Sequence, residues 1–328
     1  MDNQTDARNV MLLLYTPLGI PRGSETKPLS LGEFNSLMKS VGESRLQSPG
    51  ELLQMNAQDL VRELELDGNL ADRIENLLSR KATMAMEMSR LEEAGVFAIT
   101  RIEKEYPPLL VQRLKKARVP PVFFFSGNLG LLEKPAVAVV GSRNAGEELL
   151  EYTQKLSRKL VEAGFQVVSG GAKGIDSQAM VTCMENGGSA IGVVADSLLK
   201  NTRKATWRSN LRNGELLLLS ARSPESPFNV GRAMERNKYI YCLSSYAVVV
   251  NSTANKGGTW AGAIENIKNG FVPLFVRPDD EGDSGNQLLT KKGAIPLDNE
   301  TLVAGNVLGE FLENSAKTRK PGQQLSFG

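Results

Sequence analysis

Beyond residue 135 the apolar positions fall in short, nearly unbroken runs, at 136–140, 165–169, 190–194, 216–219, 247–250 and 271–276. Between most of them the spacing is helical. Continuous apolar strands that alternate with helices predict a parallel sheet covered on both faces, a doubly wound α/β fold. In such sheets ligands bind outside the carboxyl ends of the strands, so function is sought in the residues that follow each strand.

The first third of the chain has a different texture. Ser30-Leu31-Gly32-Glu33 and Ser48-Pro49-Gly50-Glu51 have capping-box spacing, the second with proline at the first helical position, and predict two short helices. A longer helix is predicted over 70–94, where Ile74, Leu77, Leu78 and Leu91 recur at helical spacing and Gly95 stands ready to end it. Met84, Met86 and Met88 alternate and cannot share one face; core filling plus surface tolerance is their plain explanation. The run Val10-Met11-Leu12-Leu13-Leu14-Tyr15 is too short for a membrane helix and lacks the flanks of a signal peptide. It reads as a strand or helix end packed on the first domain. Between 96 and 135, β-rich and proline-rich pieces read as an extended connector. The expected division is an N-terminal helical domain over 1–104, an α/β domain over 105–300, and a short helix with a disordered, basic tail over 301–328.

Composition narrows the chemistry. A chain of 328 residues is long enough for two domains and needs no disulfide or metal staple. Its 39 Lys and Arg against 37 Asp and Glu exclude a polycationic coat for DNA or membrane, so any anion site must come from local placement. The absence of histidine excludes Ser-His-Asp hydrolases, HExxH metalloproteases and His-ligated zinc or haem sites. Cys183 and Cys242 are the only cysteines and form no CxxC pair. The expectation is a cytoplasmic protein with no metal, no cofactor and no membrane segment.

Three strands end in glycine with a hydroxyl and a cation nearby: Gly141-Ser142-Arg143, then Ser169-Gly170-Gly171-Ala172-Lys173-Gly174-Ile175-Asp176, then Lys256-Gly257-Gly258-Thr259. Glycines let backbone amides approach a phosphate, the following helix presents its N-terminal dipole, and Arg or Lys supplies charge. Each loop alone is also ordinary turn punctuation. None is a Walker A or a GxGxxG fingerprint. Their convergence on one sheet edge is what predicts an anion cradle.

Lys200, Arg203, Lys204, Arg208 and Arg212 form a cationic run with no acid inside it, and Trp207 sits within. Helical spacing would align Lys200, Lys204, Arg208 and Arg212 as a stripe. A solvated helix face is the plain alternative; nucleic-acid phosphates would relieve the stripe's self-repulsion. Residues 231–240 read as a helix with Arg232, Arg236 and Tyr239 on one side, and Asn237, disfavoured in mid-helix, suggests a hydrogen-bonding task.

Together the Gly-Ser-Arg turn, the Ser-Gly-Gly-Ala-Lys-Gly-Ile-Asp loop, the Arg236-Asn237 pair and the Gly-Gly-Thr turn resemble the DNA-processing protein family, DprA, also called Smf. The resemblance extends to Tyr106-Pro107-Pro108-Leu109-Leu110, to the segment from Pro120 to Asn128 and to the segment from Gly285 to Ala294, and covers about residues 50–297. It implies an extended Rossmann-like, doubly wound, mostly parallel sheet preceded by a small helical domain. It further implies a homodimer that binds single-stranded DNA, protects it and loads the recombinase RecA in DNA uptake and recombination. The residues matching the family's basic pocket are Arg143, Ser169, Gly170, Lys173, Arg236 and Asn237, floored by Gly257, Gly258 and Thr259. Ser177-Gln178-Ala179-Met180 stands where the family usually has a histidine. The run 200–212 replaces its usual Tyr-Pro, and the chain stops without the winged helix that many members carry.

The leading expectation is a non-catalytic DNA-binding module, with phosphates in the pocket of Arg143, Lys173 and Arg236, Lys200, Lys204, Arg208 and Arg212 extending the track, and Trp207 offering a base-stacking face. The alternative is a nucleotide-binding or nucleotide-cleaving enzyme. Gly257-Gly258-Thr259 followed by Glu265 distantly resembles the glycine-rich turn and catalytic glutamate of cytokinin-type phosphoribohydrolases, and acid-base work would fall to Asp176 or Glu265. A paralogue used in anti-phage defence is a third expectation. The end of the tail, Gln323-Gln324-Leu325-Ser326-Phe327, resembles the short peptides that dock on bacterial sliding clamps, a frayed terminus being the plainer reading.

Overall fold

A computed structural model of the chain describes residues 3–21, 23–279, 284–303 and 308–318. It divides into two compact units, Met1–Phe125 with Ser220–Ser226, and Ser126–Leu219 with Pro227–Gly328.

Unit 1 is built from helices α1 (Asn3–Tyr15), α2 (Leu31–Glu43), α3 (Ala57–Leu64), α4 (Gly68–Leu78), α5 (Lys81–Glu93) and α6 (Pro108–Arg113), with strands β1 (Phe97–Thr100) and β2 (Val122–Gly127), the last running over the division. The apolar run 10–15 lies in α1, where Val10 to Leu14 are essentially buried. Both capping boxes form, at Ser30 with Glu33 and at Ser48 with Glu51, the second opening a 3-10 turn over Pro49–Gln54. Met84 and Met88 are buried and Met86 is exposed, as alternation on a helix requires.

Two expectations are corrected here. The helix expected over 70–94 is two helices, α4 and α5, broken at Ser79 and Arg80. The Arg80 guanidinium donates to the carbonyls of Leu13, Leu18 and Leu77, two of which lie in the last turns of α1 and α4. Helix ends leave carbonyls without partners, and this one side chain serves two such ends. Burial draws Arg80 down to about 10. The extended connector is also not a connector: β1 pairs antiparallel with β2, from Phe97 opposite Phe125 to Thr100 opposite Val122. That pairing moves the boundary from near 105 to 125/126.

Unit 2 holds β3 (Ala136–Val140), α7 (Glu147–Glu162), β4 (Gln166–Ser169), α8 (Ile175–Glu185), β5 (Ala190–Val193), α9 (Leu198–Thr202), α10 (Ala205–Arg212) and β6 (Leu216–Ser220). It continues with α11 (Val230–Cys242), β7 (Tyr246–Val249), α12 (Gly257–Asn269), β8 (Leu274–Val276), α13 (Gly285–Lys291), β9 (Ile295–Pro296), α14 (Asn299–Val303) and α15 (Leu308–Lys317). Its strands run in the order β6-β5-β4-β3-β7-β8-β9, each parallel to its neighbours. All five residues of β3 and of β6 are buried, which is why these strands read as unbroken apolar runs. The chain winds from β3 outward to β6, then returns beside β3 as β7 and winds the other way. Right-handed crossovers therefore put α7 and α8 on one face and α11 and α12 on the other, and each pair packs together. The reversal leaves a crevice at the carboxyl ends of β3 and β7, where ligands bind in folds of this kind. The tail expected to be disordered begins inside α15, whose Leu308 and Leu312 are buried; the clamp-like segment 323–327 lies outside the described residues.

One amide ties the floor of that crevice together. Asn286, 1% exposed, donates to the carbonyls of Val250 at 3.0 Å and Arg277 at 2.9 Å, and Ser252 Oγ donates to its Oδ1 at 2.9 Å. Buried carbonyls that lose their donors cost about 1–3 kcal/mol each. Asn286→Ala should therefore lower stability by about 2 kcal/mol or more, read from the urea unfolding midpoint. An unchanged midpoint would mean that water replaces the amide.

Candidate functional site

Each loop at the strand ends is fixed by its neighbours. Ser142 donates its backbone N–H to Asn251 Oδ1 at 2.8 Å, joining the end of β3 to the end of β7 across the switch point. Thr259 Oγ1, in the first turn of α12, donates to the Gly141 carbonyl at 3.1 Å. Ser169, fully buried, donates its hydroxyl to the Val139 carbonyl at 2.6 Å. Gly171 and Lys173 lie in the turn that closes at Gly174, whose φ of 87° suits glycine and where a side chain would run into the carbonyls of Ser142 and Arg143. The loops after β3 and β4 thus lie backbone against backbone.

Arg236 and Asn237 enter from α11. Asn237 donates Nδ2 to the Gly258 carbonyl at 2.9 Å, which accounts for a polar residue in mid-helix. Arg236 is 8% exposed, and its Nε and Nη1 have no hydrogen-bond partner among the described residues. Its guanidinium occupies the space over Gly170, so that a Cβ there would overlap both the guanidinium and the Asp176 carboxylate. Burial pushes the Asp176 carboxyl up, while Arg236 and the backbone N–H groups of Gly141, Gly170 and Ala172, which donate to it, pull it down. Burial draws Arg236 down; Asp176 opposes this, Arg143 adds to it, and Asp196 opposes it. A guanidinium keeps its charge in proteins, so the crevice encloses a cation with unused donors.

The rim adds exposed charge. Arg143 and Lys173 are exposed, and Arg143 lies over the ring of Phe228, 5.0 Å from its centroid. Lys256 is the exposed N-cap of the 13-residue helix α12 and makes no side-chain cap; Gly257 and Gly258 follow it with their amides at the helix start. A cation at the positive end of a helix dipole is unfavourable by itself and becomes favourable when an anion sits between them.

The expected cradle residues therefore separate by task. Gly141, Ser142, Ser169, Asn237 and Thr259 are locked into the protein's own hydrogen bonds and build the cradle. Arg143, Lys173, Arg236 and Lys256 supply the positive charge of the crevice, and Gly257 and Gly258 place backbone amides at the start of α12. The auxiliary track is corrected in two respects. Trp207 is 3% exposed and offers no stacking face. The single stripe is broken, since Lys200 lies on α9 while Lys204 is the N-cap of α10, with Arg208 and Arg212 following on that helix. Phe228, 48% exposed, is the aromatic that sequence reasoning missed; its signal was its place just before the N-cap Asn229 of a helix already singled out for its arginine. Among the described residues no cluster of three or more metal-ligating side chains occurs, and no helix is long and apolar enough to cross a membrane.

Comparison with known proteins adds a consistent pattern. The family model of DNA recombination-mediator protein A matches residues 97–306. The Smf protein of Synechocystis sp. is 29% identical over 222 residues, 61% of this chain and 54% of its own length. The DNA processing protein DprA of Streptococcus pneumoniae is 34% identical over 189 residues, 56% of this chain and 66% of its own. The aligned region thus spans between about half and two thirds of these relatives. Among solved structures, DprA from Streptococcus pneumoniae aligns with a TM-score of 0.58 at 24% identity, covering 84% of this chain and 98% of that one. DNA processing protein A from Helicobacter pylori, described for its single-stranded DNA binding mode, aligns with a TM-score of 0.53 at 25% identity, covering 69% and 97%.

The fit of Arg236 over Gly170 has a measurable signature. Gly170→Ala should destabilise the protein by about 2 kcal/mol through overlap with the guanidinium. Because the two sites touch, the Gly170→Ala/Arg236→Ala double variant should lose about 1–2 kcal/mol less than the sum of the single variants in urea unfolding. Strict additivity would place the guanidinium elsewhere.

Proposed function

Because the chain belongs to the DNA recombination-mediator protein A family, we propose that the crevice of unit 2 binds the backbone of single-stranded DNA as a binding site and not a catalytic one. The observation that carries this is the enclosed Arg236 with two unpaired nitrogens. A phosphate is a compact anion with several acceptor oxygens, and it answers that geometry with charge-assisted hydrogen bonds. Arg143, Lys173 and Lys256 supply further charge at the rim, and the amides at the start of α12 supply uncharged donors.

Phe228 favours a single strand over a duplex, because only unstacked bases can lie on an exposed aromatic ring. The likeness to the Helicobacter pylori protein supports the same reading. Asp176, one of the two acids with Glu265 that a nucleotide-cleaving reading could use, meets the backbone N–H groups of Gly141, Gly170 and Ala172 and faces Arg236, which suits it to organising the loops. By family membership the proposal extends to a cytoplasmic homodimer that handles strands in recombination and DNA uptake, with RecA as the protein that receives them.

Fluorescence anisotropy with labelled oligothymidylate across a salt series tests the crevice. Arg236→Ala and Arg143→Ala should each weaken binding by about 10- to 100-fold, since hydrogen bonds to charged groups contribute about 1.5–3 kcal/mol. The slope of log affinity against log salt should become shallower by about 0.7 for each phosphate that a variant no longer neutralises. Wild-type binding by both variants, or binding that ignores salt, would sink the assignment. Phe228→Ala should cost about 1–3 kcal/mol of binding free energy, whereas Trp207→Phe should leave affinity where it was.

A further inference from the structure

The cationic run 200–212 is not used by the crevice. Lys200, Arg203, Lys204, Arg208 and Arg212 are all exposed, and among the described residues none of them forms an ion pair. No acid occurs between Asp196 and Glu215. The helices that carry these cations are well anchored. Ser197 caps α9 by accepting the Lys200 N–H at 3.3 Å, Trp207 is buried beneath α10, and Asn210 Nδ2 meets Met184 Sδ at 2.9 Å. The cations are therefore presented by fixed elements.

Their placement works against stability. Like charges four residues apart on a helix destabilise it by a few tenths of a kcal/mol. Lys204 stands at the N-cap of α10, where the macrodipole favours an anion, and makes no cap hydrogen bond. A local rule broken on a rigid, exposed element is the mark of a functional surface.

The run also begins at the crevice. Strand β5 lies beside β4, and its carboxyl end leads through Asp196, whose charge acts on Arg236, into α9 and then α10. Four helical residues rise about 6 Å, so Lys204, Arg208 and Arg212 span about 12 Å, the length of roughly two nucleotides of an extended strand.

We infer that α9 and α10 form a second contact surface, which takes the phosphates of the same single strand after it leaves the crevice. The inference rests on the crevice reading, and it makes affinity depend on strand length. Strands too short to leave the crevice draw nothing from it; longer strands meet the three further cations of α10 and its N-cap.

The experiment compares oligothymidylates of roughly eight and roughly thirty nucleotides, at several salt concentrations, against wild type, Lys204→Gln/Arg208→Gln/Arg212→Gln, the charge-keeping Lys204→Arg/Arg208→Lys/Arg212→Lys, and Arg236→Ala. The neutral triple variant should bind the short strand within about twofold of wild type and the long strand about tenfold or more weakly, with a salt slope shallower by about 2. The charge-keeping variant should restore long-strand affinity, and the urea midpoint of the neutral variant should not fall, since self-repulsion is relieved. Equal weakening for both lengths, or weakening for neither, overturns the second surface. If wild type and Arg236→Ala bind the short strand alike, it is the crevice reading that falls.

Discussion

Arg236 reaches the carboxyl edge of the sheet from α11 and is enclosed over Gly170 beside Asp176, with two nitrogens unmatched. Enclosing a charge is unfavourable unless partners surround it, and removing it from water lowers the dielectric in which it acts. Much of the surrounding architecture answers that constraint. Residue 170 must lack a side chain, the Asp176 carboxylate is held in place by three amides, and Asn237, one residue on, fixes the start of α12. What the protein leaves undone is the pairing of Nε and Nη1, the two donors that the fold itself does not match.

The two kinds of group at the site follow from how many donors each residue has. A hydroxyl has one hydrogen, so Ser169 and Thr259, once bonded to the Val139 and Gly141 carbonyls, have none left for a phosphate. Their work is to hold β3, β4 and α12 in register. The residues still able to donate are the long cations and the backbone amides, which are also the groups that recognise a phosphate without regard to base.

The parts of this arrangement that were legible in the sequence are those governed by local pattern. Buried parallel strands must be apolar throughout, so six strands could be read directly. Capping boxes at Ser30 and Ser48 and the glycine turns at 141, 170 and 257 depend on residues a few positions apart. Illegible were features that depend on a partner far along the chain. The break after α4 depends on Arg80 reaching Leu13 and Leu18, and the unit boundary depends on β1 finding β2. Trp207 looked available for stacking because exposure is a property of packing and not of composition. Phe228 was passed over for the converse reason, its exposure and its contact with Arg143 arising only in the folded chain.

The Ser142 to Asn251 and Thr259 to Gly141 bonds join residues separated by more than a hundred positions of sequence. Contacts of that separation form late, since the intervening chain must be ordered before they can close. During synthesis the loops after β3 and β4 therefore emerge well before the segment that completes them. The nascent chain carries its glycines and its first cations without a finished cradle until α12 has left the ribosome. The order of translation thus sets when the crevice acquires its geometry, because the two bonds that close it wait for the last of its elements to be made.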